Sequence, residues 1–234
     1  QQGAACPLTL IAAPAGFGKT TLVSEWITQR DQPVAWLSLD DEDNDPSRFW
    51  LYLVAALRRI HAHLGESTLA SLQAAQLPPI AALLTPLLND LSQLTAPFVL
   101  VLDDYHLITA APIHEALIFL IEHLPPTLRL LLTTRIDPPL PLARWRVRGQ
   151  LAEIRADDLR FGTAETTAFF HQTMGLSLSS AEITTLEERT EGWIAALQLA
   201  ALSLQGRQNA ADFIAAFGGS NRFIVDYLAE EVWR

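Results

Sequence analysis

The feature that most constrains this chain is a short segment of small residues followed by a lysine and two threonines. The segment is Ala13-Pro14-Ala15-Gly16-Phe17-Gly18-Lys19-Thr20-Thr21, and it lies between an apolar run, Leu8 to Ala12, and an amphipathic run, Thr20 to Gln29. The apolar run predicts a buried strand and the amphipathic run predicts a helix. A strand, a glycine-containing turn and a helix in this order form the context in which such a segment binds phosphate groups, and that context disfavours a chance glycine turn.

Each residue type in this segment has a chemical role. Gly16 and Gly18 allow a backbone path that turns consecutive N–H groups toward an anion, and the N-terminus of the following helix adds a partial positive charge. Lys19 supplies a cation for the β- and γ-phosphates, the Thr20 hydroxyl is placed to coordinate Mg²⁺, and Thr21 can contact the α-phosphate. The sequence therefore predicts a P-loop. Its expected nucleotide-binding residues are Ala15, Gly16, Phe17, Gly18, Lys19, Thr20 and Thr21. Ala13 replaces the first glycine of the common G-x-x-x-x-G-K-[ST] pattern, and a small side chain still fits there.

A second apolar run ends in two carboxylates. Phe98 to Leu102 is followed directly by Asp103 and Asp104, and this looks like a Walker B segment. A P-loop needs an acid on a neighbouring strand to hold the Mg²⁺ shell, so we predict that Asp103 serves the metal together with Thr20. We predict that Asp104 polarises an attacking water as a general base. The alternative is a polar turn at the end of a strand.

A third apolar run, Leu128 to Thr133, finishes at Thr134 and Arg135. Parallel strands deliver their C-terminal ends to the edge of the sheet where ligands bind. We therefore expect Arg135 on the phosphate side, where it could sense the γ-phosphate and join Asp104 and Lys19 in catalysis. The alternatives are an exposed surface arginine or an ion-pair partner for Asp137.

Around these segments, apolar and amphipathic runs alternate as they do in parallel strands joined by crossover helices. Several of the strands are almost wholly apolar, as expected for a sheet covered on both faces. The predicted strands are Leu8 to Ala12, Val34 to Leu39, Phe98 to Leu102, Leu128 to Thr133 and Leu151 to Ile154; the predicted helices are Thr20 to Gln29, Ser47 to Leu64, Ile80 to Leu94 and Ile113 to Leu124.

After about Arg155 only helical periodicity remains. Ser179 and Glu182 form a capping box for a helix that runs toward Thr190. The next helix has a core-facing stripe made of Trp193, Leu197, Ala200 and Leu204. We therefore expect an α/β fold, a P-loop NTPase domain over residues 1–155 with a parallel five-stranded sheet flanked by helices, followed by a small all-helical domain over residues 156–234. Phe223 to Arg234 has the pattern of a further helix.

An acidic segment before the second predicted helix allows two interpretations. Asp40, Asp43 and Asp45 precede Arg48. They could form a functional loop near the nucleotide, or an acidic loop in which Asp45 caps the helix and Pro46 takes its first position. The second interpretation is favoured because it explains the segment without a ligand.

Composition excludes several classes of function. The 26 acidic and 16 basic residues give a formal net charge of -10, which repels polyanions and argues against direct contact with DNA or RNA. The single cysteine, Cys6, cannot form an internal disulfide, and no Cys/His cluster has metal-ligand spacing, so Mg²⁺ is the only metal that we expect. No apolar stretch approaches the roughly 18 to 20 residues that span a bilayer. We expect a cytoplasmic protein without membrane contact.

Taken together, the motifs of this sequence resemble a known family, the STAND ATPases. Within that family they are most similar to the nucleotide-binding domain of the maltose-activator-like, large ATP-binding LuxR regulators. The resemblance covers nearly the whole chain. It rests on the following segments: Ala13 to Leu22; Ala35-Trp36-Leu37-Ser38-Leu39-Asp40; Asp43-Asn44-Asp45-Pro46; Arg48-Phe49-Trp50; Leu102-Asp103-Asp104-Tyr105-His106; Thr133-Thr134-Arg135; Leu159-Arg160-Phe161; Glu191-Gly192-Trp193; Tyr227-Leu228; and Glu230-Glu231-Val232.

The resemblance implies an ATP/ADP switch. The Arg135 strand would lie between the P-loop strand and the Asp103 strand. ADP would hold a closed monomer, whereas ATP with an inducer would favour an open, self-associating form, with slow Mg²⁺-dependent hydrolysis. Gly192-Trp193 occupies the place of an element that abuts the nucleotide, although related branches carry a proline where this chain has Ile194-Ala195. DNA would be bound only through a C-terminal domain outside these residues, and the C-terminal end would begin a winged-helix region.

Two other functions remain open from the sequence. One is an ordinary P-loop enzyme, such as a kinase or a motor ATPase, in which the product of the reaction and not a regulatory change is what matters. The other is a degenerate scaffold that binds no nucleotide, against which the intact Lys19, Thr20 and Asp103 argue.

Overall fold

The computed structural model describes residues 6–74, 78–205, 213, 214 and 217. They form two compact units. The first contains the described residues of Gln1–Ala12 and Thr20–Ile154, and the second contains Ala13–Lys19 with the described residues of Arg155–Arg234. The segment between β1 and α1 is thus grouped with the second unit, although the strand before it belongs to the first.

Strands and helices alternate through the first part of the chain. All five predicted strands are present, each within one residue of its expected bounds. The elements are β1 Leu8–Ala12, α1 Lys19–Thr28, β2 Val34–Ser38, α2 Pro46–Arg58, α3 Glu66–Leu72, α4 Ile80–Ser92, β3 Phe98–Asp103, α5 Ala111–Glu122, β4 Leu128–Thr134, α6 Leu142–Val147 and β5 Leu151–Arg155.

The five strands form one parallel sheet in the order β2-β3-β4-β1-β5. β4 pairs with β1 on one side and with β3 on the other, so the implied position of the Arg135 strand is confirmed. In the register, Ala12 is opposite Thr134 and Ser38 is opposite Asp103. Because all these strands point the same way, their polar C-terminal residues share one edge of the sheet.

One hydrophobic core holds the sheet against its helices. Every residue of β3 is buried, as expected for a strand covered on both faces. The core combines leucines of β1, β3 and β4 with apolar residues of α2, α4 and α5, among them Phe49, Trp50, Leu53, Leu84, Leu87 and Leu117. Each such side chain contributes roughly 1.5 to 3 kcal/mol by leaving water.

The predicted start of helix α2 is confirmed, whereas its predicted end is wrong. Asp45 accepts a hydrogen bond from the Arg48 backbone N–H and Pro46 is the first helical residue. The helix ends at Arg58 and not at Leu64. A turn follows and leads to Gly65, which has φ 68° and whose added Cβ would lie 2.7 Å from a methyl of Val54. The short helices α3 and α6 were not predicted.

The second unit is built from α7 Thr163–Ala168, a π-helical turn over Phe169–Thr173, α8 Ser180–Thr190 and α9 Ile194–Leu204. The predicted capping box at Ser179 and Glu182 is present. Leu197, Ala200 and Leu204 of the predicted stripe are buried together, and Trp193 packs against them. The segments Phe223 to Arg234, Tyr227-Leu228 and Glu230-Glu231-Val232 lie outside the described residues.

Among the described residues, every helix is too short or too polar to cross a membrane.

Candidate functional site

The glycine-lysine segment folds as a tight loop between β1 and α1. Gly16 and Gly18 have φ of 75° and 72°, in the left-handed region that glycine adopts without steric cost. Lys19 is the first residue of α1. The predicted order of strand, loop and helix is confirmed. We call Ala13–Lys19 the phosphate loop.

The ammonium of Lys19 lies against the backbone of its own loop. The residue is only 7% exposed, and its Nζ donates to the carbonyl oxygens of Ala13 at 2.8 Å and Pro14 at 3.0 Å. A buried ammonium needs such acceptors to remain charged. The loop thus holds a positive charge ready for an anion.

Lys19 is also the only lysine of the 234 residues; the other 15 of the 16 basic residues are arginine. Lysine ends in a compact point charge on a flexible stem, whereas arginine ends in a planar fork. A sequence that uses arginine at every other basic position retains lysine where the loop closes around its head group. The presence of a single lysine, at this position, supports the assignment of a P-loop in addition to the motif itself.

Helix α9 and the residue before it hold the next two carbonyl groups of the phosphate loop. Trp193 Nε1 donates to Ala15 O at 3.2 Å, and the Ala195 N–H donates to Gly16 O at 3.2 Å. The side chain of Ile194 lies 3.6 Å from the place that a Cβ on Gly18 would occupy. The Gly192-Trp193 element therefore contacts the loop itself, a contact that the sequence did not predict.

A crowded corner between α8 and α9 fixes the position of Trp193. Gly192 has φ 69°, and a Cβ placed on it would lie 2.3 Å from Phe161 O. The Phe161 N–H donates to Gly192 O at 2.9 Å, and the Trp193 N–H donates to Thr190 O at 2.9 Å. Only glycine fits this corner, because both its dihedral angle and the close approach of Phe161 exclude a side chain.

Asp103 is the centre of a second group of functional side chains, in the first unit. The residue is 3% exposed, and its Oδ1 accepts from Thr20 Oγ1 at 3.1 Å and from Thr133 Oγ1. The structure thus joins Thr20 with Asp103, as both motifs predicted, and adds Thr133, which sequence reasoning missed. Hydroxyl and carboxylate oxygens are the hard donors that Mg²⁺ prefers, so this set fits the ion.

Asp104 completes this group, which we call the Asp103 cluster: Thr20, Asp103, Asp104 and Thr133. Asp104 has φ 59° and ψ 41°, an uncommon conformation for a residue with a side chain. Its N–H donates to Thr133 Oγ1 at 2.9 Å. Its side chain is 41% exposed and lies 3.7 Å from His106 Nδ1. Asp103 is therefore held inside the cluster, whereas the Asp104 carboxylate is directed toward solvent.

The residue after Asp104 is anchored in the core. Tyr105 is fully buried, and its hydroxyl lies 2.7 Å from His114 Nδ1 on α5. Burial raises the pKa of Tyr105 and lowers the pKa of His114, so both groups are neutral near pH 7. This pair fixes the chain immediately after the strained Asp104.

Arg135 is the first residue after β4 and is half-buried. It therefore follows the strand that lies beside β3, at the sheet edge where Asp103 ends its strand. Its sensing role stays a prediction.

The acidic segment around Asp40 is occupied by structural contacts. Arg48 pairs with Asp43 at 3.0 Å, with Asp40 at 3.2 Å and with Glu42. Asp45 caps α2. These contacts support the interpretation of a capped acidic loop.

A cavity of about 390 Å³ lies in the first unit between α1 and the sheet. Trp26, Arg30 and Arg129 are among its lining residues. None of the predicted nucleotide-binding or catalytic residues lines it, so it is separate from the candidate site.

Comparison with known proteins agrees with these motifs. The AAA ATPase domain model matches residues 1–133. The chain is 40% identical over 230 residues to the HTH-type transcriptional regulator MalT of Yersinia enterocolitica, and 40% identical over 229 residues to MalT of Serratia proteamaculans. Both alignments cover 96% of this chain and 25% of the relative. The chain thus spans about a quarter of the length of these curated relatives.

Solved structures share the fold at low identity. The Walker-type ATPase Paby2304 of Pyrococcus abyssi superimposes with a TM-score of 0.61 and 14% identity, over 98% of this chain and 71% of that chain. A chain of the Drosophila ORC bound to DNA superimposes with a TM-score of 0.51 and 14% identity, over 98% of this chain and 63% of that chain. With more than half of its residues matched by the domain model, the chain belongs to the AAA ATPase domain family.

Proposed function

We propose that this chain is the ATP- and ADP-binding switch module of a signal-responsive transcriptional regulator, with slow Mg²⁺-dependent hydrolysis that controls its conformation and self-association. The observation that carries the proposal is the hydrogen bond from Thr20 to Asp103. It joins two motifs that are 83 residues apart in the sequence, and both motifs belong to the same chemistry, the binding of a metal-nucleotide complex.

The phosphate loop would bind the nucleotide through its backbone. With Gly16 and Gly18 in left-handed conformations, consecutive N–H groups can converge on an anion. Lys19 would exchange its contacts with the Ala13 and Pro14 carbonyls for contacts with the β- and γ-phosphates. Ala15, Phe17 and Thr21 complete the proposed set.

Thr20 and Asp103 would hold Mg²⁺ through their side-chain oxygens. When bound, the ion supplies charge neutralisation at the β- and γ-phosphates. Thr133, which donates to the same oxygen of Asp103, would keep that carboxylate in place.

Hydrolysis would depend on Asp104 and Arg135. The exposed carboxylate of Asp104 can accept a proton from an attacking water, and its backbone is fixed by Thr133 on one side and by the buried Tyr105 on the other. Arg135, at the end of β4, would interact with the γ-phosphate and add positive charge where negative charge develops.

The regulatory part of the proposal rests on the similarity to the HTH-type transcriptional regulator MalT. With a net charge of -10, this chain is unsuited to DNA contact, so DNA would be bound by another part of a longer protein. An inducer, a small molecule or a protein, would likewise act through parts outside this chain. Cytoplasmic location follows from such a role.

The rival function is an ordinary P-loop kinase or ATPase. A switch retains its nucleotide and turns over slowly, whereas an enzyme of metabolism or a motor turns over many times per second. Single-turnover and steady-state hydrolysis measurements separate the two. A steady-state rate of many per second would contradict the switch.

The sole lysine allows a direct test of nucleotide binding. Trinitrobenzenesulfonate modifies amines, so side-chain labelling of this chain reports on Lys19 alone. We expect labelling to be slow, because Lys19 is 7% exposed, and to stop when Mg²⁺ and ATP are added. In parallel, mass spectrometry of the nucleotide released from freshly purified protein should identify ADP. Failure of ATP and GTP, each with Mg²⁺, to protect Lys19 would contradict the proposal.

A further inference from the structure

We propose that Trp193 and the first turn of α9 position the phosphate-binding amides of the loop, so that helices α7 to α9, which we call the helical unit, respond to the polyphosphate of the nucleotide and not to its base. This inference rests on the proposed nucleotide-binding function. It assigns a role in phosphate binding to Trp193 and to the backbone of Ala195.

The starting observation is the order of the carbonyl contacts along the phosphate loop. The carbonyls of Ala13 and Pro14 accept from Lys19. The carbonyls of Ala15 and Gly16 accept from Trp193 Nε1 and from the Ala195 N–H. Four consecutive carbonyl groups are therefore fixed, two by the lysine of the loop and two by the helical unit.

The geometry of the peptide bond links each of these carbonyl contacts to the direction of the next N–H group. The described residues contain no cis peptide bond, and in a planar trans peptide the C=O and the following N–H point in opposite directions. When Trp193 holds the Ala15 carbonyl, the N–H of Gly16 must point the other way. When Ala195 holds the Gly16 carbonyl, the same is true of the N–H of Phe17. The helical unit thus sets the direction of two amides that P-loops use to bind phosphate.

The donors on the helical side have little freedom to move. Gly192 is fixed in its corner against Phe161, and the Trp193 N–H is bonded to Thr190 O. Immediately after Trp193, α9 enters the core of the second unit through Ala196, Leu197 and Ala200. A change in the loop backbone would therefore be passed directly to a packed helix.

Nucleotide binding must change this backbone. An ammonium that donates to two phosphate groups has one of its three donors left, so Lys19 must release at least one of its contacts with Ala13 and Pro14. Releasing such a carbonyl alters the peptide planes that precede the one that Trp193 holds. The contacts that lead from Lys19 through the loop carbonyls to Trp193 do not involve the base. We therefore expect α9 to respond to the phosphates alone.

The test compares two ligands with the same number of phosphates, ADP and inorganic pyrophosphate, each with Mg²⁺. Trp193→Phe keeps the aromatic ring and removes the N–H. Calorimetry should show that this variant binds both ligands about 3- to 10-fold more weakly, by the same factor, as expected for the loss of one hydrogen bond. The control is Trp36→Phe, which removes an indole N–H that donates to Ser38 Oγ at 2.9 Å in the first unit and should leave both affinities unchanged.

A loss of affinity for ADP alone would show that Trp193 acts at the base and would overturn the inference, as would unchanged binding of both ligands. Wild-type protein that binds ADP and takes up no pyrophosphate would also overturn it, while leaving the proposed function intact. Wild-type protein that binds no nucleotide at all would overturn both.

A measurement on the wild-type protein keeps the test independent of how well the variant folds. Hydrogen exchange at the first turn of α9, residues 194–197, should slow by the same factor with Mg²⁺-ADP and with Mg²⁺-pyrophosphate. Slowing with ADP alone would contradict the proposal.

Discussion

The phosphate loop and the Asp103 cluster both hold polar groups in fixed positions, but the groups that they hold are of different kinds. In the loop, the fixed groups are backbone carbonyls, held by Lys19, Trp193 and the Ala195 N–H. In the Asp103 cluster they are side chains: two threonine hydroxyls donate to one carboxylate oxygen.

This difference decides which changes each region tolerates. A backbone site is insensitive to most side chains, but it fails where an added Cβ or a lost backbone partner moves the chain. A side-chain site depends on single oxygen atoms, and its backbone can remain unchanged when one of them is removed. Single substitutions in the two regions test this contrast, and the largest effect is expected at Lys19.

Lys19→Ala should abolish measurable nucleotide binding. The lysine is the cationic side chain of the loop, and the loss of its charged hydrogen bonds costs about 3 to 6 kcal/mol, or roughly 100- to 20,000-fold in affinity. Calorimetry with Mg²⁺-ATP measures the effect. Arg30→Ala is the matched control, because it removes a cation that lies over the Trp26 ring, outside the loop; its affinity should stay near that of the wild type. Unchanged ATP affinity in Lys19→Ala would refute the assigned role.

Asp104→Asn should preserve nucleotide binding and slow hydrolysis about 100-fold, because the amide cannot accept the proton of an attacking water. Phosphate release under single-turnover conditions measures the rate, and calorimetry checks binding. The control, Asp41→Asn, changes an exposed acid outside the cluster and should have no effect. Hydrolysis at the wild-type rate would place the base elsewhere.

Gly192→Ala should destabilise the second unit by about 3 kcal/mol or more, because the new Cβ meets the Phe161 backbone in a left-handed conformation. Gly175→Ala is a close control. Gly175 has φ 66° but no atom within 4 Å of an added Cβ, so only the dihedral cost of about 1 to 2 kcal/mol applies. Urea unfolding monitored by circular dichroism measures both. Equal effects of the two substitutions would show that the Phe161 contact is unimportant.

Thr133→Val should weaken the Mg²⁺ dependence of nucleotide binding about tenfold, because Asp103 loses a donor and the Asp104 N–H loses its acceptor. The packing of β4 should be kept, since valine has nearly the shape of threonine. Thr133→Ser keeps the hydroxyl and should behave like the wild type within about twofold. A Mg²⁺ titration of ADP affinity measures the difference; if serine and valine have the same effect, the hydroxyl is not what matters.

Much of the fold could be predicted because its signals are local. The five strands are short apolar runs bounded by polar residues. The starts of α2 and α8 follow from Asp45 and Ser179, whose side chains bond within three residues. The predicted end of α2 is wrong: the helix ends at Arg58, whereas the residues from Arg59 to Leu64 include no glycine or proline that would mark a stop in the sequence. Helices as short as α3 and α6 have too few residues for a periodic pattern to emerge.

The residues of the candidate site likewise fall into those with a local sequence signal and those without one. Gly16, Gly18, Lys19, Thr20 and Asp103 belong to contiguous motifs and could be identified from the sequence. The contact from Trp193 to Ala15 spans 178 residues, and that from Thr133 to Asp103 spans 30 residues. Neither has a local signature, since threonine at the end of a strand and tryptophan at the start of a helix are both common in ordinary cores. Only the folded chain reveals them.

The position of β1 in the sheet has a consequence for how the chain folds. β1 is the first strand in the sequence, yet its neighbours are β4 and β5, and Leu8 is paired with Leu130. During synthesis, the strand that precedes the phosphate loop therefore has no partner until the ribosome has passed residue 134. Such distant pairing costs loop-closure entropy and slows folding. β2 and β3 can pair earlier, so the sheet would grow from the Asp103 side. The strand that leads into the phosphate loop would join only after β4, and β5 would be added last at the far edge.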